Sequence, residues 1–362
     1  MKKIIYLMIL NTLFALPRFS VEQGSNCINC HINPTGSGMR NDHGSNVYTF
    51  DELTARKWIS KSNEDWDGYI SDQIQIGGEF RIQSFDGNRG KSTFPMQAEL
   101  YTNVDINKNA NLYFEISLGG FRNYEYFVLF DKIPNKSWIK IGQSSPTYGL
   151  MVDDHTSFIK AGNKDELILV NRDLDIGLRS LFDPSYKKPL LVEFSVNPIK
   201  NIYLTSSIFQ PYNTLYNDLK SFTTTINYIK DLDKWSLLLG SSILKQDETQ
   251  LLGIFGGFSI KNFTVTYEVD RIQNLIREES FASYLQFVYK PIQGLHIITK
   301  YDYFDYDADI ASGSISRYSY GLEFYPLNIL EIKFQIRDYT IDYINTTLAL
   351  DQEYLLQIHT WF

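Results

Sequence analysis

The stretch Phe263-Thr-Val-Thr-Tyr-Glu-Val-Asp270 decides the fold of this chain. Its odd-numbered residues are apolar, whereas its even-numbered residues are polar or acidic. Side chains of a β-strand point alternately to opposite faces, so the stretch predicts a strand with one apolar and one polar face. A strand that has lipid on one side and an aqueous lumen on the other shows this pattern.

The same alternation recurs along most of the chain. It is clearest in four further stretches: 74–83, 112–118, 317–324 and 330–337. Alternating segments of about ten residues with turns between them predict an antiparallel transmembrane β-barrel. The available length accommodates about 16 strands, with 14 to 18 as the range. We therefore predict an all-β fold whose porin-like barrel spans residues 69–362.

A soluble β-sandwich also alternates and is the alternative to a barrel. Two features of the strands favour the barrel. The alternating runs are long and carry charges of both signs on their polar faces. The last run ends at Phe362, with Leu356 and Ile358 on the same face. A terminal aromatic residue on an amphipathic last strand resembles the assembly signal of outer-membrane barrels.

The N-terminus predicts export. Two lysines precede an apolar run, residues 4–16, that ends at Pro17. A positive start followed by a short apolar core is typical of a secretory signal peptide, which we assign to residues 1–23, with cleavage between Ala15 and Gly24. An uncleaved anchor is the alternative, although the apolar run is short for one. Export agrees with a barrel in the lipid of a bacterial outer membrane.

Composition narrows the choice of partners. The chain has 362 residues, a formal net charge of −8 and 15% aromatic residues. The acidic balance argues against nucleic acid as a partner. The high aromatic content fits aromatic girdles at the two interfaces of a membrane.

The only two cysteines of the sequence lie in Cys27-Ile-Asn-Cys30-His31. C-x-x-C-H is the attachment signature of c-type haem. Two thiols at this spacing reach two vinyl groups of one porphyrin, and the adjacent histidine then lies under the iron. We predict one covalent haem c, with Cys27 and Cys30 as thioethers and His31 as the proximal iron ligand. Residues 24–68 would form a small monohaem cytochrome c segment and its linker.

Two other interpretations of the motif stay open. The cysteines could form a metal site together with His31 and His43, although zinc fingers space their second ligand pair differently. They could instead form a periplasmic disulfide, in which case the histidine would be incidental. The exported context and the loop residues on both sides of the motif favour haem.

The distal haem ligand has two candidates close to the motif, Met39 and His43. A methionine ligand would raise the redox potential, whereas a histidine ligand would lower it. An open coordination site and a ligand from the barrel, such as His155, are the alternatives. For His296 and His359, which lie in strand patterns, we expect lumen or membrane-interface side chains.

Two segments break the strand pattern. Residues 141–166 are rich in loop formers and predict a long insert, either a constriction inside the lumen or an external loop. Thr49 and Glu52 match a capping box and predict a short helix over residues 53–60.

Acidic residues on the polar strand faces are candidates for contact with cations in the lumen. Four of them stand out: Glu115, Glu268, Asp270 and Glu323. Carboxylates in a pore are more often solvated lining than binding sites, so we expect solvated pore lining.

The order of these parts resembles the outer-membrane fused cytochrome–porins, in which a small C-x-x-C-H segment precedes a porin-like barrel. The match consists of the haem motif, the following Asn33-Pro-Thr-Gly36 and a barrel from about residue 70. The stretches Lys140–Gly149 and Asp153–Thr156 also look like the region that follows the first strands of such porins. The resemblance implies oxidation of dissolved ferrous iron at the cell surface and passage of the electron inward.

These observations predict an outer-membrane electron conduit. It would join an extracellular electron donor, with Fe(II) as a candidate, or an extracellular acceptor to a periplasmic carrier such as a soluble cytochrome. An apolar band about 25 Å tall blocks electrons, and a porphyrin inside a protein-lined lumen shortens that gap. Two other classes stay open: a passive solute porin whose haem segment is a plug or anchor, and an enzyme with an open haem site, such as a peroxide-consuming one.

Overall fold

In the computed structural model of the chain, the described residues contain sixteen long strands that form a closed antiparallel β-barrel. The structure describes residues 17–36, 38–55, 68–87, 90–118, 124–152, 154, 156–160, 188–211, 219–275, 277–343, 346–349 and 352–362. The predicted all-β fold and the predicted number of strands are therefore confirmed.

Each barrel strand pairs with the barrel strands that precede and follow it in the chain, as in an up-and-down barrel. The barrel strands are β2 (Ile74–Gly87), β3 (Gly90–Asn107), β4 (Ala110–Ser117), β5 (Tyr124–Ile133), β6 (Ser137–Gln143), β7 (Leu190–Ile199), β8 (Ile202–Phe209), β9 (Ser221–Asp231), β10 (Trp235–Gln246), β11 (Thr249–Ile260), β12 (Phe263–Gln273), β13 (Glu279–Ile292), β14 (Leu295–Asp305), β15 (Ile315–Leu327), β16 (Leu330–Tyr343) and β18 (Glu353–Trp361). Two short strands, β1 (Tyr69–Ser71) and β17 (Thr346–Ala349), pair beside β2 and β16.

The barrel closes where β18 pairs with β2, with Ile358 opposite Ile82. Closure leaves no row of unpaired backbone groups to face lipid, where each would cost several kcal/mol. Phe362 prolongs this seam, because its N–H donates to the Gly78 carbonyl at 3.1 Å. Its ring also stacks on Phe80 with a centroid distance of 6.4 Å. The terminal aromatic residue thus belongs to the seam of the barrel.

The two faces of each strand meet different surroundings. In β12, Phe263 and Val269 are exposed on the outer face, whereas Glu268 and Asp270 are fully buried on the inner one. Other strands add exposed apolar side chains to the same outer belt, among them Ile82, Phe114, Ile116, Ile254, Leu322, Phe334 and Leu356. An apolar surface this large is unstable in water and stable in lipid.

The two ends of the barrel differ in the length of their connections. One end has tight turns, such as those at 200–201 and 261–262, and also carries the C-terminus. The longest connection, residues 144–189, leaves from the opposite end. In outer-membrane barrels the short turns face the periplasm, so we refer to the first end as the periplasmic end.

The N-terminal residues 17–55, here called the lumen segment, lie inside the barrel at this periplasmic end. The segment comprises helix α1 (Pro17–Gln23), a 3-10 turn (Cys27–Asn29) and a π-helix (His43–Leu53). It makes backbone contacts with the wall: Ser236 Oγ donates to the Val21 carbonyl, and the Ala55 N–H donates to the Tyr325 carbonyl at 3.0 Å. Among the described residues, no helix is both long enough and apolar enough to cross a bilayer.

One predicted boundary needs correction, and one stays a prediction. Helix α1 occupies the last part of the predicted signal segment 1–23 and lies within the range predicted for cleavage, so the signal peptide stays a prediction. Residues 1–16 lie outside the described part of the chain. The helix predicted over 53–60 instead ends at Leu53, and Thr49 Oγ donates within it to the Gly44 carbonyl at 2.5 Å. Residues 56–60 also lie outside the described part.

Candidate functional site

The C-x-x-C-H motif folds into one tight turn. The Cys27 carbonyl accepts hydrogen bonds from the N–H groups of Cys30, at 3.0 Å, and His31, at 2.9 Å. Both thiols and the imidazole therefore belong to a single turn of backbone, as attachment to one porphyrin requires. Gly36 packs against this turn, since a Cβ at residue 36 would lie 3.3 Å from Cys27 Sγ.

The chain then returns alongside the motif as a hairpin. His31 pairs with Arg40 in an antiparallel bridge, and the Ile32 N–H donates to the Met39 carbonyl at 3.0 Å. The Asn41 N–H donates to the Cys30 carbonyl at 3.0 Å. We call residues 27–41 the haem hairpin. Because its two arms are hydrogen-bonded, the motif has a defined position inside the barrel.

The haem hairpin packs against two clusters, one on the barrel wall and one formed by the wall together with the rest of the lumen segment. Ile28, Ile32 and Met39 pack on a mainly aromatic patch made of Tyr101, Tyr113, Phe127, Leu129 and Trp138. Cys30 packs on a second cluster made of Phe19, Tyr48, Leu53, Tyr325 and Trp361. Ile28 and Cys30 of the motif thus pack on apolar and aromatic side chains inside the barrel, whereas Asn29 is exposed.

A cavity of about 320 Å³ opens beside Cys27 and Ile28. Its far wall carries hydroxyl and amide side chains of the barrel: Ser195, Tyr203, Thr205, Thr225 and Asn227. Small-molecule sites span about 300–1,000 Å³, so the cavity lies at the lower end of that range. Two free thiols, an adjacent histidine and a cavity at the first thiol fit the attachment of one haem c.

The two cysteines are free thiols in the structure. Burial raises the pKa of Cys27 to about 12 and that of Cys30 to about 11. Both thiols are therefore protonated at physiological pH when no group is bound to them. Among the described residues, no group of three or more His, Cys, Asp or Glu side chains could hold a metal ion. The structure thus gives the Cys–His metal site no support.

The predicted distal ligands have different surroundings. Met39 is buried in the aromatic patch, and its N–H donates to the Tyr113 hydroxyl at 3.3 Å. Gly38 has a φ of +62° and lies against the same tyrosine, so its lack of a side chain lets the hairpin approach the wall. His43 is exposed at the start of the π-helix. His155 lies outside the described residues.

The two strand histidines have lumen-facing side chains. His296 is buried between the rings of Phe19 and Tyr325, with centroid distances of 6.1 and 5.1 Å. His359 lies between two carboxylates, 2.8 Å from Glu79 and 2.9 Å from Glu331. Both agree with the expectation of lumen side chains.

Buried polar contacts hold the lumen segment to the wall. In α1, Arg18 forms an ion pair with Glu323, and Glu22 accepts from Lys290 at 2.8 Å. In the haem hairpin, Asn33 Nδ2 donates to Glu125 at 3.2 Å. Charged groups removed from water are costly when left unpaired, so these contacts favour the docked position of the segment.

The described residues of the insert after β6 fold into the lumen. Of the two structures that the sequence left open, they therefore form a constriction and not an external loop. We call residues 144–160 the constriction loop. The Thr147 N–H donates to Glu193 at 2.8 Å, and the Gly149 N–H donates to Ser242 at 3.0 Å. Farther around the barrel, Ser157 Oγ donates to Asp302 at 2.8 Å. The loop therefore crosses the lumen from β7 to β14. Residues 161–187 lie outside the described part.

The four acidic candidates are buried rather than solvated. The Leu150 N–H donates to Glu268, and the Tyr148 hydroxyl donates to Asp270 at 2.8 Å. Glu323 pairs with α1, as described above, and Glu115 accepts from Lys188 at 3.1 Å. Solvated pore lining was therefore the wrong expectation, because inserted segments of the chain cover these carboxylates.

The sequence analysis missed the residues that anchor the inserted segments. Arg18 and Glu22 directly follow the apolar run and lie within the predicted signal segment 1–23, so no role in the lumen was predicted for them. Pro17 followed by two charged residues four positions apart is a helix-start signal that could have identified α1. The buried pair Lys140–Glu193, at 2.9 Å, joins neighbouring strands, and only their register reveals it.

The barrel is similar to solved outer-membrane porins. OmpF of Salmonella typhi, in complex with daunomycin, superposes with a TM-score of 0.55 at 9% identity, over 80% of this chain and 97% of that one. The DcaP channel of Acinetobacter baumannii gives a TM-score of 0.55 at 10% identity, over 82% and 99%. An anion-selective porin from Comamonas acidovorans gives 0.53 at 12% identity, over 80% and 99%.

Comparisons of sequence add no closer relative. No protein-family model matches the chain, and no curated protein matches it. At about one residue in ten, the identity to the porins establishes the fold alone. That fold and the lipid-facing belt agree in placing the barrel in a bacterial outer membrane, as the sequence predicted.

Proposed function

We propose that this chain is an outer-membrane cytochrome–porin that carries one haem c in its lumen. It would pass electrons between an extracellular donor or acceptor and a periplasmic carrier. The observation that carries the proposal is the position of the C-x-x-C-H turn, which lies inside a porin-like barrel beside a cavity of about 320 Å³. When bound, a haem c supplies a reversible one-electron couple between ferric and ferrous iron.

The residues of the turn have distinct roles in this proposal. Cys27 and Cys30 tether the porphyrin covalently, and His31 is the proximal ligand. The bridge between His31 and Arg40 fixes the backbone of the ligand relative to the barrel. Tethering and a fixed backbone hold the redox centre at a constant depth in the membrane, which a conduit requires.

The wall around the turn sets the local environment. Apolar and aromatic side chains pack on both arms of the haem hairpin. Exclusion of bulk water lowers the local dielectric and tunes the potential of an iron centre. The barrel thus insulates the site from lipid, and the lumen segment insulates it from open solvent.

The occupied lumen favours a conduit over an open pore. The lumen segment crosses the barrel near its periplasmic end, and the constriction loop crosses it above. Both are held by buried contacts, such as Arg18–Glu323 and Ser157–Asp302. Two successive layers restrict solute flow while leaving the haem motif in the protein interior.

A passive solute porin is the second candidate, and the porin fold itself favours it. In that case the haem hairpin would be a plug or an anchor. Similarity to porins supports both candidates equally, so the choice depends on whether haem is attached and whether it exchanges electrons across the wall.

The deciding experiment uses the full chain produced with a c-type haem attachment system. Mass spectrometry and a pyridine haemochrome spectrum of the exported protein give haem occupancy. Proteoliposomes with a trapped electron acceptor then receive Fe(II) or another external reductant. The matched control is the Cys27→Ser/Cys30→Ser variant, which cannot bind haem covalently.

We expect one haem per chain, small ion conductance and reduction of the trapped acceptor by the wild type alone. A mature chain without covalent haem would refute the proposal. Full haem occupancy with large steady ion currents and no reduction of the trapped acceptor would refute the electron conduit and support the passive solute porin. A low-spin six-coordinate spectrum in both redox states would count against a haem enzyme with an open site.

A further inference from the structure

A second cavity, of about 80 Å³, is lined by Arg40 of the haem hairpin and shares no lining residue with the cavity beside Cys27. The lumen segment, the constriction loop and the wall strands on both sides of the β18–β2 seam enclose it. We call it the basic cavity because six cationic side chains line it: Arg18, Arg40, Arg81, Lys300, Lys333 and Arg337. Only three carboxylates line it within the described part of the chain: Asp154, Glu323 and Glu331. Two further carboxylates, Glu79 and Glu353, pair with lining cations from outside the cavity, so six cations face five carboxylates and one positive charge is in excess.

Most of these cations are already paired. Arg18 and Lys333 share Glu323, the latter at 3.2 Å. Arg81 pairs with Glu79, Lys300 pairs with Asp154, and Arg337 pairs with Glu353 at 3.1 Å. These pairs account for five of the six cations, so they do not explain the excess positive charge of the cavity.

Arg40 differs from the other five cations. Its guanidinium lies over the indole ring of Trp361, 4.6 Å from the ring centroid. Among the described residues it forms no ion pair with a carboxylate. Stacking on an indole orients the planar guanidinium. Its N–H groups point outward in the plane of the guanidinium, where they can still donate hydrogen bonds.

The position of Arg40 is coupled to the haem motif. Its backbone pairs with His31, and the next residue, Asn41, donates to the Cys30 carbonyl at 3.0 Å. Cys30 packs in the same cluster as Trp361, the ring under the guanidinium. Arg40 and the second thiol of the motif thus lie near the same indole ring, that of Trp361.

We infer that the basic cavity binds a carboxylate and that Arg40 is its principal partner. A half-buried guanidinium without an anion is costly, and its fork of donors matches a carboxylate. About 80 Å³ is room for two or three waters at liquid density, which is enough for one carboxylate group.

Two sources could supply this carboxylate. One is a propionate of the haem on Cys27 and Cys30, and this source rests on the proposed function. The other is a small free carboxylate in the lumen, which requires no haem. The chemistry at Arg40 is the same for both, so the experiment has one arm for each source.

The first arm uses the haem-loaded full chain and compares Arg40→Gln with wild type and with Lys200→Gln. Lys200 is an exposed residue in a periplasmic turn, and its variant loses the same charge away from the cavity. We expect Arg40→Gln to lower the midpoint potential, because a nearby positive charge favours ferrous over ferric iron. Arg40→Lys, which keeps the charge, should restore most of the potential.

The second arm uses the haem-free Cys27→Ser/Cys30→Ser chain and measures acetate binding by calorimetry. A free-carboxylate site predicts binding that weakens about tenfold on adding Arg40→Gln, the loss of one charge-assisted hydrogen bond. The barrel of every variant is checked by its heat-modifiable mobility on gels.

A change in either arm that Lys200→Gln does not reproduce supports the site and identifies the source. If neither arm responds in folded barrels, or if Lys200→Gln has the same effect as Arg40→Gln, the inference is overturned. A chain that never acquires haem refutes the proposed function, whereas the acetate arm still tests the cavity.

Discussion

Arg18 in the first described helix forms a buried ion pair with Glu323, which lies 305 positions further along the chain. The side chains of both residues are at most 5% exposed. The Arg18 guanidinium also donates to the Tyr325 hydroxyl at 2.8 Å. This contact joins the lumen segment to β15, so the position of the haem hairpin depends on a strand near the end of the chain.

Substitution of Glu323 by Gln should release the lumen segment. Removing one partner leaves the Arg18 charge buried and unpaired, which costs about 3–5 kcal/mol. We expect larger single-channel conductance in planar bilayers and faster protease cleavage within residues 17–55. Glu279→Gln is the control, since Glu279 pairs with Arg271 on the exposed surface. Equal conductance of Glu323→Gln and wild type would show that this pair does not hold the segment.

Substitution of Gly149 by Ala should displace the constriction loop. Gly149 has a φ of +56°, and a Cβ there would overlap the Glu268 carboxylate. We expect the hydrogen bond from the Leu150 N–H to Glu268 to be lost and the conductance to rise, with the barrel still folded. Gly90→Ala provides the control, because Gly90 also has a positive φ, of +90°, but open space around it. A wild-type conductance for Gly149→Ala would contradict the role of this close contact.

The constriction loop should stay docked in the lumen at mildly acidic pH. Burial alone would raise the pKa of Asp154, but the Lys300 ammonium, helped by Arg337 and Lys333, holds that pKa well below its usual value. A carboxylate with a depressed pKa favours docking above its unfolded pKa of about 3.9 and loses this effect as the pH falls through the folded value.

The corresponding measurement is conductance from pH 7 to pH 2. The wild type should keep its low conductance through pH 5 and pH 4 and open only at lower pH. Asp154→Asn should already conduct more at pH 7, and the difference between the two proteins should vanish in strong acid. A difference that disappears between pH 7 and pH 5 would contradict a depressed pKa.

The two thiols of the haem-free chain should react slowly with alkylating reagents. Burial raises the pKa of Cys27 to about 12 and that of Cys30 to about 11, so little thiolate is present at pH 8. We expect iodoacetamide to modify Cys30 faster than Cys27 and both rates to keep rising above pH 9. Mass spectrometry of chain made without haem attachment measures these rates. The urea-unfolded chain, with both thiols near pKa 8.5, is the reference.

A charged residue on the lipid face should destabilise the barrel more at the middle of the membrane than near its interfaces. Ile254 lies in the middle of β11 and is 61% exposed, whereas Ile199 ends β7 at the periplasmic side and is 65% exposed. Ile254→Arg should lower the free energy of unfolding by about 2–4 kcal/mol, and Ile199→Arg by about 0–1 kcal/mol. Urea titrations in lipid vesicles compare the two. Similar losses would mean that the outer belt does not face a bilayer.

The sequence by itself determined the barrel. A period of two is a local property of each strand, and apolar residues such as Ile254 and Phe263 face lipid wherever the strand lies around the barrel. The total length then limits the number of strands. The predicted haem motif is also local, because Cys27, Cys30 and His31 lie within five residues, so its recognition as a C-x-x-C-H pattern needs no other part of the chain.

Only the tertiary structure decided what fills the lumen. Arg18 and Glu323 meet because barrel closure brings distant strands around one central space, and no pattern within a short stretch of sequence encodes that meeting. The same holds for Arg40, whose surroundings come from the haem hairpin and from Trp361 at the opposite end of the chain. Strand alternation depends on neighbours in sequence, whereas burial of a lumen charge depends on which inserted segment covers it.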